Sequence, residues 1–409
     1  MSGSSAVSVF GCVRLRRRRR RYMPDSHLER RVRAHLDRLE ARGLRRHLRP
    51  PSGIDLSSND YLGLSAHPRV VAAFMEGAAR AGAGSTGSRL LRGERDAFER
   101  VERRFAEFKG ADRALYFATG YMANIAVLTT LPEAGDVVFW DAANHASLID
   151  GVRLSRAADV MAPHNDPGAL AQLLESTPCD GIRFVVIESL FSMDGDMAAL
   201  NEYAALCRSM DAVLVVDEAH AVGVYGDRGS GLIEQSGAGA DVCISINTAG
   251  KALGVAGAFV AGPEWAIDFL IQRARPFVFS TAPPPAVADA LMASLAVIAG
   301  EPERRARLHA LVRHLHERFL AAGIPAPVPS PSQIFPVIVG ENRPAVAMAE
   351  RLQAAGFDVR AIRPPSVPRG TARLRVSVNT GLTEEVLDSF VDALALVYQE
   401  VAVCSAESS

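Results

Sequence analysis

Two lysines are the only side chains in this sequence that could form a Schiff base with a carbonyl group. The 409-residue chain has 45 basic residues, and all of them except Lys109 and Lys251 are arginines. Arginine stays protonated in proteins, whereas lysine can lose its proton and attack a carbonyl carbon. Lys251 lies in TAGKALG, directly after the strand-like run DVCISI, where small neighbours would let a cofactor approach. Lys109 ends an amphipathic stretch just before Gly110, so we expect a solvated cation at a helix C-terminus.

Other polar residues stand where apolar, strand-like runs end. AVLVVDEAH ends in Asp217 and His220. A buried acid at a strand end needs a cationic partner, and the protonated nitrogen of a pyridine ring would be one. In ANHASLIDG, His145 could stack on a planar ring. In FATGYMAN, the backbone N–H groups of Gly120 and Tyr121 would open a helix and suit a phosphate group.

These features are each common when taken alone, and their order along the chain makes them informative together. A phosphate turn, a stacking histidine, a hydroxyl at Ser192 in ESLFSMDGD, the acid Asp217 and the amine of Lys251 follow one another. Each follows a separate strand-like run, and the carboxyl ends of parallel strands meet at one edge of a sheet. The order therefore indicates a single site for a phosphorylated pyridine aldehyde, with Lys251 as its attachment point.

The elements that must position these residues form an α/β pattern. Between residues 66 and 302, apolar runs alternate with helical stretches, which is typical of a parallel sheet covered by helices. The clearest strand-like runs are Ala114–Phe117, Asp136–Trp140, Phe184–Ile187, Val213–Val216 and Val242–Ile246.

Composition divides the chain into four predicted parts. Residues 1–22 contain seven arginines and no acid, which indicates a disordered basic extension, a targeting segment or a start codon assigned upstream of Met23. Residues 23–65 read as an N-terminal helix and arm, with capping-box spacing at its start. Residues 66–302 read as the large cofactor-binding domain, and residues 303–403 as a small α+β domain reached partly through a proline-rich linker.

Composition also excludes several classes of protein. With 48% hydrophobic and 22% charged residues, the chain is not intrinsically disordered. No apolar run is long enough to span a bilayer, so we expect no membrane association. The five cysteines form no CxxC pair, which argues against a disulfide scaffold or a bound metal and for a reducing, cytoplasmic location. The net charge is −1 despite the basic N-terminus, so the rest of the chain is acidic and nucleic acid is an improbable partner.

From about residue 26 to residue 400, the sequence resembles the fold-type I pyridoxal-phosphate enzymes, and among them the α-oxoamine synthases. The blocks that carry the resemblance are SSNDYLGL, GSTGSRLLRG, NHASLIDG, PHND, FSMDGD, VVDEAHAVGVYG, GKALG and FSTAPPPA. The block IRPPSVPRGTARLRVS is most similar to the members that condense L-alanine with a pimeloyl thioester in biotin synthesis. The resemblance implies a large, mostly parallel sheet domain, a small C-terminal α+β domain and a homodimer with shared active sites.

The resemblance also implies a role for each matching residue. Lys251 would hold pyridoxal 5'-phosphate as a Schiff base and later transfer protons. Asp217 would pair with the pyridine nitrogen, His145 would stack on the ring, and His220 would bond its phenolic oxygen. The residues implied for the phosphate and the ring edge are Gly120, Tyr121, Thr248, Ser192 and, from a second subunit, Ser280 or Thr281. The residues implied for the substrates are Arg45, Asn59, Arg363 and Ser366, the last two meeting the amino-acid carboxylate and the acyl chain.

Three departures from the family pattern bear on substrate choice. Thr86 stands where many members have glycine, Phe98 where a histidine is frequent, and Ser366 where threonine is usual. The alternatives are therefore a sibling synthase that uses glycine or serine with another acyl thioester, and a catalytically silent protein that binds the cofactor. Sequence does not decide whether coenzyme A or a carrier protein bears the acyl group.

Overall fold

A computed structural model of the chain describes residues 26–325 and 332–406 and divides the chain into two units, 1–48 and 49–409. The first unit contains helix α1 (His27–Ala41). Its predicted cap is confirmed, because the Ser26 side chain accepts a hydrogen bond of 3.1 Å from the Glu29 N–H. The apolar side chains of Leu28, Val32 and Leu36 on α1 are exposed in the single chain. The predicted extension over residues 1–22 lies outside the described residues.

The second unit contains the other helices and all the strands. The strands are β1 (Ile54–Asp55), β2 (Arg113–Phe117), β3 (Val137–Asp141), β4 (Ala158–Ala162), β5 (Arg183–Glu188), β6 (Ala212–Asp217), β7 (Val242–Thr248), β8 (Ala258–Gly262), β9 (Ile334–Gly340), β10 (Phe357–Asp358), β11 (Arg360–Ile362) and β12 (Ala372–Ser377). The helices are α2 (Pro68–Ala81), α3 (Asp96–Lys109), α4 (Gly120–Leu128), α5 (Ala146–Leu154), α6 (Pro167–Ser176), α7 (Leu200–Ser209), α8 (Leu232–Ser236), α9 (Glu264–Arg273), α10 (Arg275–Val278), α11 (Ala286–Gly300), α12 (Glu303–Ala321), α13 (Asn342–Ala354) and α14 (Glu384–Ala406). In the described part of the chain, no helix is long and apolar enough to cross a membrane.

The central sheet has seven strands in the order β2-β8-β7-β6-β5-β3-β4. Only β8 runs antiparallel to its neighbours, so the other six strands point the same way. Alternate residues face two separate apolar cores: Val215 of β6 packs in one, and Leu214 and Val216 pack in the other. Burial on both faces explains why these strands are continuously apolar in sequence.

The five predicted strand-like runs all form strands of this sheet. Four of them extend past the predicted end and close on a polar residue: β3 on Asp141, β5 on Glu188, β6 on Asp217 and β7 on Thr248. Hydrogen bonding to the neighbouring strand, which residue pattern alone does not reveal, carries each strand that far. As a result, these polar side chains lie together at the edge formed by the carboxyl ends of the parallel strands.

A second, antiparallel sheet of three strands, in the order β11-β12-β9, follows the seven-stranded sheet in the chain. Two short strands follow α13: β10, which pairs with β1, and β11, which pairs with β12. Residues 326–331 of the proline-rich segment lie outside the described residues. A domain boundary near residue 303 stays a prediction.

The expectation that Lys109 is solvated was wrong. Its side chain is only 3% exposed, and its ammonium forms an ion pair with the Glu218 carboxylate and donates to the Ser230 carbonyl at 2.6 Å. Glu218 follows β6, so the end of α3 is tied to the segment after that strand. A partner 109 residues away in sequence leaves no local signal.

Candidate active site

Lys251 and His220 form the centre of the site. They follow β7 and β6, and Lys251 Nζ lies 2.7 Å from His220 Nε2. Burial lowers the pKa of Lys251 to about 8, although the carboxylates of Asp217 and Glu188 act in the opposite direction. About a tenth of this amine is therefore uncharged at pH 7, and the uncharged form is the one that can attack a carbonyl or accept a proton.

Asp217 is a buried carboxylate that forms no ion pair with a described residue, although its charge acts on Lys251 and His145 from farther away. Its side chain accepts hydrogen bonds from the Ala219 N–H and from Asn124 Nδ2, both at 2.8 Å. Among the described residues, no lysine, arginine or histidine lies within 4.0 Å of this carboxylate. An ionised group in such a place needs a positive charge from elsewhere, so the geometry suits a protonated ring nitrogen. Asn124 was not predicted; it lies in FATGYMAN, one helical turn after the predicted phosphate site.

Glu188 lies beside Asp217, since the two residues are register partners across β5 and β6. Its carboxyl group accepts a hydrogen bond from the backbone N–H of His145. Burial, and then the nearby charge of Asp217, raise the pKa of Glu188 to about 8, so this group holds its proton near neutrality. The His145 side chain is exposed and caps α5, accepting from the Ser147 N–H at 3.3 Å. An exposed imidazole in a fixed position is suited to stacking.

The predicted phosphate turn brings the start of α4 against the end of β7. A Cβ atom added at Gly120 would lie 2.6 Å from Thr248 Oγ1, so only glycine allows this approach. Thr119 caps the helix by accepting from the Met122 N–H at 3.1 Å. Within the described part of the chain, the N–H groups of Gly120 and Tyr121 have no hydrogen-bond partner. They are first-turn donors of α4, which begins beside the Thr248 hydroxyl.

Arg375 of β12 was missed by the sequence analysis. It is 7% exposed and donates to the Ser192 carbonyl at 2.7 Å, to Asn59 Oδ1 at 3.1 Å and to the Tyr61 hydroxyl at 3.3 Å. Within the described part of the chain, no carboxylate lies within salt-bridge distance of it. A buried cation without an acid suits a substrate carboxylate. The alternating arginines of ARLRVS were the available signal, because they place Arg373 and Arg375 on one face of a strand.

Four further predicted residues each have their own surroundings: Arg363, Ser366, Thr281 and Arg45. Arg363 is half-buried and Ser366 exposed, in the turn between β11 and β12. Thr281 is exposed and forms a bridge with Ser88, and among the described residues no hydrogen bond joins it to Lys251. Arg45 lies in the first unit, where its guanidinium pairs with Glu40 at 3.5 Å. The roles of these residues stay predictions.

Comparison with known proteins identifies the family. Residues 51–394 match the family described as aminotransferase class I and II. The 8-amino-7-oxononanoate synthase of Paraburkholderia xenovorans is 46% identical over 372 residues, which cover 86% of this chain and 94% of the relative. The enzyme of the same name from Burkholderia cenocepacia is 49% identical over 332 residues, covering 80% of this chain and 81% of the relative.

Solved structures agree with the sequence relatives. A serine palmitoyltransferase from S. paucimobilis, with a bound PLP–myriocin aldimine, superposes with a TM-score of 0.86 at 29% identity, covering 93% of this chain and 100% of that chain. An 8-amino-7-oxononanoate synthase from Francisella tularensis gives 0.73 at 29% identity, covering 85% and 98%. The fold is that of the fold-type I transferases, as the resemblance implied. The chain belongs to the aminotransferase class I and II family and, within it, to the 8-amino-7-oxononanoate synthase family of α-oxoamine synthases.

Proposed function

We propose that this protein is a pyridoxal-phosphate-dependent acyltransferase that condenses L-alanine with a pimeloyl thioester to give 8-amino-7-oxononanoate, a step of biotin synthesis. The observation that carries the proposal is that a half-buried amine, Lys251, and a buried carboxylate, Asp217, which forms no ion pair with a described residue, lie at the ends of the neighbouring strands β7 and β6. The relatives named for this activity, at 46% and 49% identity, support the choice of reaction.

The residues present fit pyridoxal 5'-phosphate. Asp217 would pair with the ring nitrogen, and the exposed face of His145 would stack on the ring. The turn at Gly120 and the hydroxyl of Thr248 would hold the phosphate, and the amine of Lys251 would hold the aldehyde carbon. The buried carboxylate of Asp217, without an ion pair among the described residues, and the close approach of Gly120 to Thr248 are the two features that support this fit.

Pyridoxal phosphate supplies, when bound, a conjugated ring that accepts the electron pair left on the substrate carbon. Asp217 keeps the ring nitrogen protonated, because an ionised carboxylate favours the cationic form of its partner. Lys251 Nζ accepts the substrate proton and returns one, a task to which a pKa of about 8 is well matched.

Arg375 positions the amino acid in this proposal. Its guanidinium would bind the substrate carboxylate, with Asn59 holding the guanidinium in place through the 3.1 Å hydrogen bond. Because its guanidinium is buried without an ion pair among the described residues, we propose Arg375 as a further contact for this carboxylate, and Arg363 and Ser366 keep the substrate roles that the family resemblance implies. Arg45 remains the proposed contact for the acyl substrate on the basis of the family resemblance.

We also propose a homodimer in which Ser280 or Thr281 reaches the phosphate of the partner subunit's site. Ser88 and Thr281 form a bridge between two segments that expose large apolar side chains. These side chains are Leu90, Leu91 and Phe279, exposed by 49%, 83% and 72% in the single chain. Apolar surface of this kind favours burial against another copy. We further propose a cytoplasmic location and a domain boundary near residue 303.

Substrate profiling tests the proposed function. Purified protein would be incubated with alanine, glycine or serine, each with pimeloyl-CoA, pimeloyl-carrier protein or acetyl-CoA, and the aminoketone and released thiol or CO₂ would be measured. We expect turnover with alanine and a pimeloyl thioester. Turnover confined to glycine with acetyl-CoA would replace this proposal with the sibling synthase. A protein that takes up the cofactor, turns yellow and shows no spectral change or product with any pair would be the silent binder.

A further inference from the structure

Tyr61 joins the proposed carboxylate site to the reacting amine. Its side chain is fully buried, and its hydroxyl lies 2.7 Å from His220 Nδ1 and 3.0 Å from Asn59 Oδ1. On the other side of the His220 ring, Nε2 lies 2.7 Å from Lys251 Nζ. Arg375, Tyr61, His220 and Lys251 therefore form an unbroken hydrogen-bonded chain.

The donors and acceptors in this chain restrict the position of the histidine proton. The Arg375 guanidinium can only donate, so the Tyr61 oxygen accepts from Nη2 at 3.3 Å. Tyr61 then has one proton to give, and the His220 nitrogen is nearer than the Asn59 oxygen. Asn59 Oδ1 already accepts from Arg375 Nη1 at 3.1 Å. Because a cation that donates to a hydroxyl makes that hydroxyl a stronger donor, Tyr61 directs its proton to Nδ1.

His220 is an uncharged imidazole in this environment. Burial, and then the positive charges of Lys251 and Arg375, lower the pKa of His220 well below its usual value. A neutral imidazole carries one proton, so a ring that accepts at Nδ1 must carry its proton on Nε2. That proton faces Lys251 Nζ.

We propose that Tyr61 is a positioning residue that holds His220 in the Nε2–H tautomer. His220 then presents a hydrogen-bond donor to Lys251 Nζ or, with cofactor bound, to the phenolic oxygen of the ring. The proposal deepens the proposed function, since it assumes that Lys251 is the reacting amine. A donor at this position stabilises the uncharged amine and disfavours the ammonium. The other charged or titratable groups that act on Lys251 are Asp217 and Glu188 from the strand ends and Arg375 from β12.

Two lysines in the whole chain make a direct test possible. The full chain, freed of cofactor, would be labelled with ¹³C at the lysine Cε, which gives one signal for Lys109 and one for Lys251. The signal lost in Lys251→Ala identifies Lys251. A titration then follows its protonation from pH 6 to 11 without substrate or turnover.

We expect Tyr61→Phe to raise the pKa of Lys251 by about 1, the equivalent of one hydrogen bond. Without the phenol hydroxyl, His220 can shift its proton to Nδ1 and accept at Nε2 from the ammonium, which favours the charged form of Lys251. Tyr116→Phe is the matched control. Tyr116 is also buried, but its hydroxyl donates to the Ala256 carbonyl at 2.8 Å rather than to the ring of His220. We expect this control to leave the pKa of Lys251 unchanged.

The tautomer itself can be observed in the unmodified protein. In ¹⁵N spectra of histidine-labelled full chain, with His220 assigned from His220→Gln, we expect the proton on Nε2. A proton on Nδ1 would overturn the proposal even if Tyr61→Phe failed to fold. An equal pKa of Lys251 in wild type and folded Tyr61→Phe would overturn it as well. Neither measurement depends on which substrates the enzyme uses, so failure here is distinct from failure of the proposed function.

Discussion

The chain has two lysines, and they differ in their surroundings. Both were candidates for Schiff-base formation, but Lys109 instead forms a buried ion pair. Lys251 is half-buried next to His220, and its uncharged form is accessible near neutral pH. Lys109 is buried and paired with the carboxylate of Glu218. Replacing each should therefore produce opposite effects on activity and on stability.

Lys251→Ala should abolish both turnover and the visible absorbance of attached cofactor, while unfolding in denaturant stays close to wild type. Lys109→Met should retain turnover in its folded fraction but lower the free energy of unfolding by about 3 kcal/mol, because it strands the Glu218 charge in the interior. Urea titrations monitored by circular dichroism, together with activity assays, measure both effects.

The control for Lys109→Met removes the carboxylate of Glu218 as well. The double variant Lys109→Met/Glu218→Leu should recover part of the lost stability, since no uncompensated charge remains. Cofactor attachment to Lys109 in the wild-type protein, or loss of turnover in folded Lys109→Met, would contradict this assignment of the two lysines.

Contacts between elements hold the strand ends in place, and His164 of the PHND block is an example. Its Nδ1 lies 2.8 Å from the Asp141 carboxylate at the end of β3, and its Nε2 lies 3.2 Å from Asp196 in the turn before α7. Hydrogen bonds to Asp141 and then to Asp196 raise the pKa of His164 to about 10. The two segments bridged by His164 contain the predicted site residues His145 and Ser192, each four residues from the aspartate that contacts His164.

Stability should therefore depend on pH through His164. Below about pH 6.5 the ring is charged in folded and unfolded chains alike, so its contribution to the free energy of unfolding is complete. As pH rises towards 10, only the folded form keeps the proton, and the contribution disappears. Because the side chain is 34% exposed, we expect about 1–2 kcal/mol.

The comparison that checks this is wild type against His164→Gln across pH. The difference in free energy of unfolding should be largest near pH 6 and close to zero at pH 10. A difference that does not change with pH would mean that His164 contributes by packing alone, for example through its edge-to-face contact with Phe191 at 4.4 Å.

The turn between β2 and α4 should be intolerant of a single methyl group. Gly120→Ala would place a carbon 2.6 Å from Thr248 Oγ1 and push apart the two elements that form the phosphate site. We expect cofactor affinity to fall at least tenfold, by about 1.4 kcal/mol or more, as measured by absorbance titration. Gly300→Ala is the control, because its added carbon would meet nothing within 4 Å at the end of α11, and affinity should not change.

Across the whole molecule, the sequence predicted local features well and contacts between distant elements poorly. Strand order along the chain and the polar residue after each strand are local, and they correctly placed Asp217, His220 and Lys251 around one sheet edge. Asn124, Tyr61 and Arg375 come from other elements and meet that edge only after folding. No spacing rule relates such residues. Glu218 was not predicted as the partner of Lys109 for the same reason, because the two residues are 109 positions apart in sequence.

The proposed dimer also makes a prediction about the whole assembly. If Thr281 completes the partner's site, a Lys251→Ala chain and a Ser280→Ala/Thr281→Ala chain should each be inactive as homodimers. Mixed and refolded together, half of the dimers would be hybrids with one intact site each, so activity should return to about a quarter of wild type. No recovery in a mixture shown to contain hybrids would mean that each chain builds its site alone.

The burial of Lys109 leaves the described surface of the protein without an exposed primary amine on any side chain. Thioesters acylate lysine amines, but arginine guanidinium groups do not react with them under ordinary conditions. An enzyme whose substrate is an acyl thioester would thus present that substrate with only one reactive side-chain amine, Lys251, inside its own active site. The thioester could therefore acylate the enzyme on a side-chain amine only at Lys251. Cofactor attached to Lys251 would protect that amine from acylation.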